Sequence, residues 1–323
     1  MPIAEDLKVF TGNAHPQLSY DICSYLGIQP GKIDVFKFTN DNTFVKILEN
    51  VRERDVFIVQ PFSVPVNDSI MELLIMLDAA KRASARRITA VLPYYAYGRS
   101  DKKDQPRVPI TARLVATMIE AAGADRVLTL DLHAGQIQGF FNIPVDELTA
   151  IPMLAHHFAN GEDLVVAATD AGGAKRARDT ADLIGADIAI AEKRRLGNSD
   201  TVVVDEVIGD VDDRKVIIVD EEISTGGTVV AAASSLVAHG AREVYCAATH
   251  GVLCGHAPLL MEQSPIIEMA VTDSLPISDE KLGSKTRVIS VASMLGEAIW
   301  RIHSGLSVGE MFEDAAPVPV GNL

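Results

Sequence analysis

Short runs of β-branched and apolar residues alternate with longer apolar segments of helical spacing along the whole chain. Residues 55–60 read as a buried strand, residues 69–83 as an apolar helix and residues 87–92 as a second strand. The same order recurs later. A strand at 216–220 is followed by the loop Thr225, Gly226, Gly227, Thr228, a helix to about residue 239 and a strand at 243–248. Each unit crosses a helix and returns on a strand that opens after a basic residue. Repeated strand–helix–strand units predict an α/β protein with mostly parallel sheets. The repetition predicts two related domains, 1–150 and 151–323, divided in the Pro-containing stretch Asn142 to Pro152.

In open α/β sheets, ligands bind beyond the carboxyl ends of the strands. Predicted strands lead there into Tyr94 to Arg99, into Asp131 and His133, into Asp170 with Lys175 and Arg176, and into Lys193, Arg194 and Arg195. The most informative of these edges follows Val219, where Asp220, Glu221 and Glu222 precede Ser224 and the Thr-Gly-Gly-Thr loop. Paired glycines before a helix let backbone N–H groups approach an anion, and the helix dipole favours negative charge there. Carboxylates beside a phosphate cradle would repel it unless they face hydroxyl donors on the same ligand, so the loop predicts a phosphorylated sugar. Lys193 to Arg195 fit either a solvated charge run or cations aimed at a phosphoryl group in flight. His133 fits either a structural histidine or, with Asp170, a contact to magnesium-bound phosphates.

A formal charge of -15 excludes general binding to nucleic acid or to an anionic membrane, while leaving room for a local basic site. Cys23, Cys246 and Cys254 are odd in number and lack metal-ligand spacing, which predicts reduced thiols. Residues 1–10 carry no basic start and apolar core of a signal peptide, and no apolar run is long enough to span a bilayer. These features predict a cytoplasmic protein. Neither the P-loop nor the dinucleotide fingerprint occurs, so a nucleotide would bind by another device.

These motifs are collinear with a known family. Gly12-Asn13-Ala14, Pro65 to Asp68, Pro109 to Ala112, Asp131 to Ala134, Gly172-Gly173, Lys193 to Arg195, the Thr225–Thr228 loop, Thr249-His250 and Met294 to Ile299 resemble the ribose-phosphate pyrophosphokinases over nearly the whole length. The resemblance implies two tandem phosphoribosyltransferase-type domains. It implies transfer of the diphosphoryl group of ATP to the 1-hydroxyl of ribose 5-phosphate, with Mg2+ as cofactor. By the same resemblance, Asp220, Glu221, Ser224, Thr225, Gly226, Gly227 and Thr228 would bind ribose 5-phosphate. Phe38, Asn40, Asn42, Arg99, Asp101 and His133 would bind ATP, with Phe38 packing on adenine from a neighbouring subunit. Lys193 and Arg195 would be catalytic, His133 and Asp170 would meet the metal, and the chain would form a homo-oligomer, a hexamer or a dimer.

Some positions depart from the family pattern. Glu221 and Ser224 stand where aspartates are usual, Asn42 replaces an acid, and Thr169 replaces a proline. The phosphate-facing residues keep the pattern while the sugar- and base-reading ones drift. That leaves two alternatives beside the diphosphokinase: a paralogue with an altered sugar or nucleotide, and a non-catalytic regulatory homologue. A simple phosphoribosyltransferase fits less well, since one domain would suffice.

Overall fold

The computed structural model describes residues 6–159, 163–195 and 202–313, with the backbone alone at 192–195, 202–205, 312 and 313. Residues 1–5 and the side chains of Lys193, Arg194 and Arg195 lie outside the described residues. The chain opens with β1 (Leu7–Thr11), α1 (Pro16–Leu26) and a hairpin of β2 (Ile33–Lys37) and β3 (Thr43–Ile47). It continues through β4 (Asp55–Val59), α2 (Val66–Arg82), β5 (Arg87–Leu92), α3 (Thr111–Ala122), β6 (Arg126–Leu130) and β7 (Val145–Leu148). After α4 (Ile151–Phe158) the plan repeats as β8 (Leu164–Ala168), α5 (Ala174–Ile184), the hairpin β9 (Asp187–Arg195) and β10 (Val202–Ile208), and β11 (Lys215–Ile223). Then come α6 (Gly227–Ala238), β12 (Glu243–Gly251), α7 (Ala257–Gln263), β13 (Met269–Thr272), β14 (Thr286–Ile289) and α8 (Ala292–Ser304).

The first sheet runs β1-β4-β5-β6-β7 and is parallel throughout. The second runs β10-β9-β8-β11-β12-β13-β14, parallel except where β10 meets β9. Five strands of each sheet correspond in order, β1 to β8, β4 to β11, β5 to β12, β6 to β13 and β7 to β14. The hairpins correspond too, although β2-β3 forms its own small sheet whereas β9-β10 extends the second one. Strands such as β4 and β8 are buried at every residue, as parallel strands covered on both faces must be. The α/β class with mostly parallel sheets is therefore observed.

Two helices pack across the chain order. α4 follows the first sheet but buries Ile151, Leu154 and Phe158 against Leu164, Val166, Ile217 and Val219 of the second. α8 follows the second sheet but buries Leu295, Ala298, Ile299 and Ile302 against Val9, Leu18, Ile22 and Phe57 of the first. Each large aliphatic side chain buried this way contributes about 1.5–3 kcal/mol, so the exchange ties the two halves firmly. Gly296 allows the close approach, since a Cβ there would meet the Tyr25 ring at 2.5 Å. The fully buried carboxylate of Asp55 then fixes the end of α8, accepting from Arg87 and lying 2.8 Å from His303 Nδ1.

Two local expectations change. The acids expected after the strand at 216–220 lie within β11, which continues to Ile223 because Glu222 and Ile223 pair with His250 and Gly251. Lys193, Arg194 and Arg195 do not follow a strand but end β9, opposite Val204, Val203 and Val202 of β10. Antiparallel pairing across the hairpin extends β9 into that charged segment. Among the described residues, no helix is long and apolar enough to cross a membrane.

Candidate active site

The carboxyl ends of β5, β6 and β11 meet where the two sheets face one another. β11 delivers Asp220, Glu221 and Glu222 in succession, and β6 delivers Asp131 and His133. Asp131 is held at φ 32° and accepts from Thr149 Oγ1 at 2.6 Å, from the Ala150 amide at 2.8 Å and from the buried Thr249 hydroxyl. His250 is buried behind it, with Nε2 donating to the carbonyl oxygens of Leu130 at 3.2 Å and Asp131 at 3.1 Å. Burial holds its pKa below the ordinary histidine value. These bonds join the first sheet to β12 and fix where His133 emerges.

His133 Nδ1 lies 2.7 Å from Glu221 Oε1, and Arg176 Nη2 lies 2.7 Å from Glu221 Oε2. Arg176 also reaches Asp220 at 3.4 Å, and Thr169 donates to the same carboxylate at 3.2 Å. Burial pushes the Asp220 carboxyl up to about 7, with the adjoining Glu221 adding to the effect. Burial acts in the same direction on Glu221, but hydrogen bonds from His133 and Asp220 and the Arg176 charge outweigh it and hold Glu221 well below the carboxylate range. The Glu221 hydrogen bond in turn raises His133 against its own partial burial. A cavity of about 10 Å³, room for one water molecule, lies between Tyr94, His133, Glu221 and Glu222.

Beyond β11 the chain turns through Ser224, Thr225 and Gly226 into α6. Gly226 adopts φ 79°, a left-handed conformation that a side chain disfavours, and no side chain caps the helix. The first-turn N–H groups of α6 lack intrahelical acceptors by geometry, and a Cβ on Gly227 would meet nothing within 4 Å. An anion can therefore reach this backbone closely. Ser224 Oγ lies 3.3 Å from Cys254 Sγ, and its carbonyl accepts from the Cys254 amide at 2.8 Å.

Arg99 and Asp101 lie in the segment after β5. Arg99 Nη2 is 3.4 Å from Glu222 Oε1. Asp101 is buried, with Oδ2 accepting from Gln136 at 2.8 Å and Oδ1 left without a partner. Asp170 is exposed at the end of β8, where one oxygen accepts from the Gly173 amide at 3.1 Å. Phe38, Asn40 and Asn42 form the tip of the β2-β3 hairpin, where Phe38 meets Phe36 and Phe44 at ring distances of 5.2 and 5.5 Å. None of their described bonds or ring contacts reaches Arg99, Asp101 or His133.

Thus Asp220, Glu221, His133 and the Ser224–Thr228 loop come together, Arg99 joins them through Glu222, and the hairpin residues stand apart. The sequence places Arg176, Glu222 and Tyr94 at the ligand-binding edge but assigns none of them a role. Arg176 had a legible signal, a cation six residues beyond Asp170 in the first turn of a helix. Among the described residues, no group of three His, Cys, Asp or Glu side chains gathers to enclose a metal.

Two family models match this chain. Residues 7–123 match the N-terminal domain of ribose phosphate pyrophosphokinase, and residues 197–313 match the phosphoribosyl synthetase-associated domain. The ribose-phosphate pyrophosphokinase of Clostridium acetobutylicum is 50% identical over 96% of this chain and 98% of its own length. The chain belongs to the ribose-phosphate pyrophosphokinase family. Similarity within the family extends to ribose-phosphate pyrophosphokinase A of Dictyostelium discoideum, 46% identical over 97% of this chain and 99% of its own. A solved family structure, phosphoribosylpyrophosphate synthetase from Mycobacterium smegmatis, superposes with a TM-score of 0.87 at 40% identity, covering 93% of this chain and 100% of that one.

Proposed function

We propose that the chain transfers the diphosphoryl group of ATP to the 1-hydroxyl of ribose 5-phosphate, giving phosphoribosyl pyrophosphate and AMP. The observation that carries this reading is the uncapped amino end of α6 beside the carboxylates of β11, in a chain of this family. Backbone amides from Thr225 to Thr228, with the threonine hydroxyls, would hold the 5-phosphate. Asp220 and Glu221 would accept the ribose 2- and 3-hydroxyls, so the anomeric hydroxyl is presented toward His133 and Arg99. Its oxygen attacks the β-phosphorus and its proton passes to solvent, while the bond from the β-phosphorus to the bridging oxygen breaks and AMP leaves with that oxygen. Positioning and charge neutralisation carry most of such a step. Lys193 and Arg195 would stabilise the transferring group, and removing either should cost about 3 kcal/mol, a hundredfold or more in rate.

Magnesium fits a site of this kind as an ion carried by the nucleotide. It prefers oxygen, keeps several waters and needs one or two carboxylates, and the exposed Asp170 offers one. When bound, it neutralises phosphate charge. His133 would contact the metal-bound phosphates, with Nδ1 committed to Glu221. The hairpin tip of Phe38, Asn40 and Asn42 would serve the adenine of a neighbouring subunit, which makes the active form a homo-oligomer. The chain is read as two phosphoribosyltransferase-type units, 1–150 and 151–323, in a cytoplasmic setting supported by three unpaired thiols.

The deciding experiment measures AMP release from ATP and magnesium with and without ribose 5-phosphate, followed by phosphorus NMR of the sugar product. Sugar-dependent AMP and a diphosphate on the sugar support the reading. ATP turnover indifferent to the sugar, or none at all, sinks it.

A further inference from the structure

Neither the phosphate loop nor the sugar-facing pair uses the carboxylate of Glu222. Its Oε2 accepts the Tyr94 hydroxyl at 3.0 Å, and its Oε1 lies 3.4 Å from Nη2 of Arg99. Tyr94 and Arg99 belong to the segment after β5 in the first sheet, while Glu222 sits on β11 of the second. The pair is unequal, for the Glu222 side chain is 10% exposed and that of Arg99 is 59% exposed. The surrounding charges are already engaged. Arg176 serves Asp220 and Glu221, and His133 serves Glu221. Among the described residues, Arg99 is the cation paired with Glu222.

We propose that Glu222 is a positioning residue for the nucleotide, holding Arg99 against the sugar-phosphate strand and competing with the nucleotide's phosphates for it. This rests on the reading of Arg99 as a phosphate contact. An exposed guanidinium can swing toward a triphosphate and bind it in a two-pronged geometry. The carboxylate left behind, largely though not fully shielded from water, would keep only the Tyr94 hydroxyl, and a shielded charge stripped of its partner is costly. That cost is subtracted from nucleotide affinity. The Glu222 charge is the source of that cost. Its removal should therefore tighten nucleotide binding, acting through Arg99.

Five full-length proteins test this: wild type, Glu222→Gln, Glu222→Met, Arg99→Gln and the Glu222→Gln/Arg99→Gln double variant. Glutamine keeps the length and an oxygen acceptor for Tyr94, while Glu222→Met removes both charge and acceptor and should move affinity in the same direction. The readouts are the Kd of a non-hydrolysable ATP analogue by calorimetry, and KM and kcat for both substrates. Glu222→Gln should lower the analogue Kd and the KM for ATP about threefold to tenfold, with the KM for ribose 5-phosphate changing less than about twofold. In the Arg99→Gln background the same substitution should alter the analogue Kd by less than about twofold. Weaker nucleotide binding in Glu222→Gln overturns the proposal, and so does an equal gain in both backgrounds. A wild-type protein that neither binds the analogue nor forms AMP overturns the functional reading and this one together. An active wild type with no gain in Glu222→Gln overturns this one alone.

Discussion

His133 Nδ1 and Glu221 Oε1 lie 2.7 Å apart, although one residue follows β6 of the first sheet and the other belongs to β11 of the second. A side chain from each half thus closes the site, and the bond is charge-assisted when the imidazole is protonated. His133 is raised by its bond to Glu221, with burial opposing. A histidine raised in the folded state stabilises fully below its unfolded pKa of about 6.5, and that stability is lost as pH rises through the folded value.

The stability gap between wild type and Glu221→Gln should accordingly be larger at about pH 5.5 than at about pH 8.5. Thermal melts of the metal-free proteins across that range provide the check. A gap that stays constant or widens with pH would show that the imidazole and carboxylate are not linked in the folded protein.

Asp131 makes a second bridge between the halves. Its carboxylate accepts from Thr149, the Ala150 amide and the buried Thr249 hydroxyl, so both oxygens are engaged. Asn keeps an acceptor for the Ala150 amide and Thr249 but loses the charge and turns its amide toward Thr149, whose hydroxyl must reverse to accept it. Asp131→Asn should destabilise the protein by about 2–4 kcal/mol, read from urea midpoints at unchanged slope. A loss under about 1 kcal/mol would mean that these bonds contribute little net stability.

The strand–helix–strand units were legible because burial on both faces leaves unbroken β-branched runs, as in β4 and β11, and helical spacing shows in α2. The exchange of α4 and α8 was not legible. An amphipathic helix announces that it has an apolar face, but not which of two apolar sheets receives it. The charged end of β9 hid its strand character for a related reason, since pairing with β10 decides it and the local residues do not. At the site, Gly226 and Gly227 were readable from backbone chemistry alone. The role of Glu222 was not legible, because its partners, Tyr94 and Arg99, come from more than a hundred residues earlier in the chain.

Gly226 offers a test of the phosphate cradle. At φ 79° alanine would find space, with the nearest atom from its Cβ, the Cβ of Ala257, 3.6 Å away, so strain rather than collision sets the cost. Gly226→Ala should destabilise by about 1–2 kcal/mol. It should also raise the KM for ribose 5-phosphate more than that for ATP, because the turn aims the α6 amides. Equal changes in both constants would detach this turn from the sugar-phosphate.

Asp220 links the site to pH. Burial, with Glu221 adjoining, lifts its carboxyl from 3.8 to about 7, so near neutrality it exists in both forms. The folded protein binds a proton that the unfolded chain has shed, so this group's stabilising contribution is complete below about pH 4 and declines as pH rises through about 7. Sugar binding runs the opposite way. Only the ionised carboxylate accepts hydrogen bonds at both oxygens without carrying a competing proton. The KM for ribose 5-phosphate should therefore fall about tenfold between pH 6 and pH 8, following the ionised fraction of a group near 7. Asp220→Asn, which cannot titrate, should hold a high and nearly pH-independent KM. A wild-type KM that is flat across this range would show that Asp220 is already ionised when the sugar arrives.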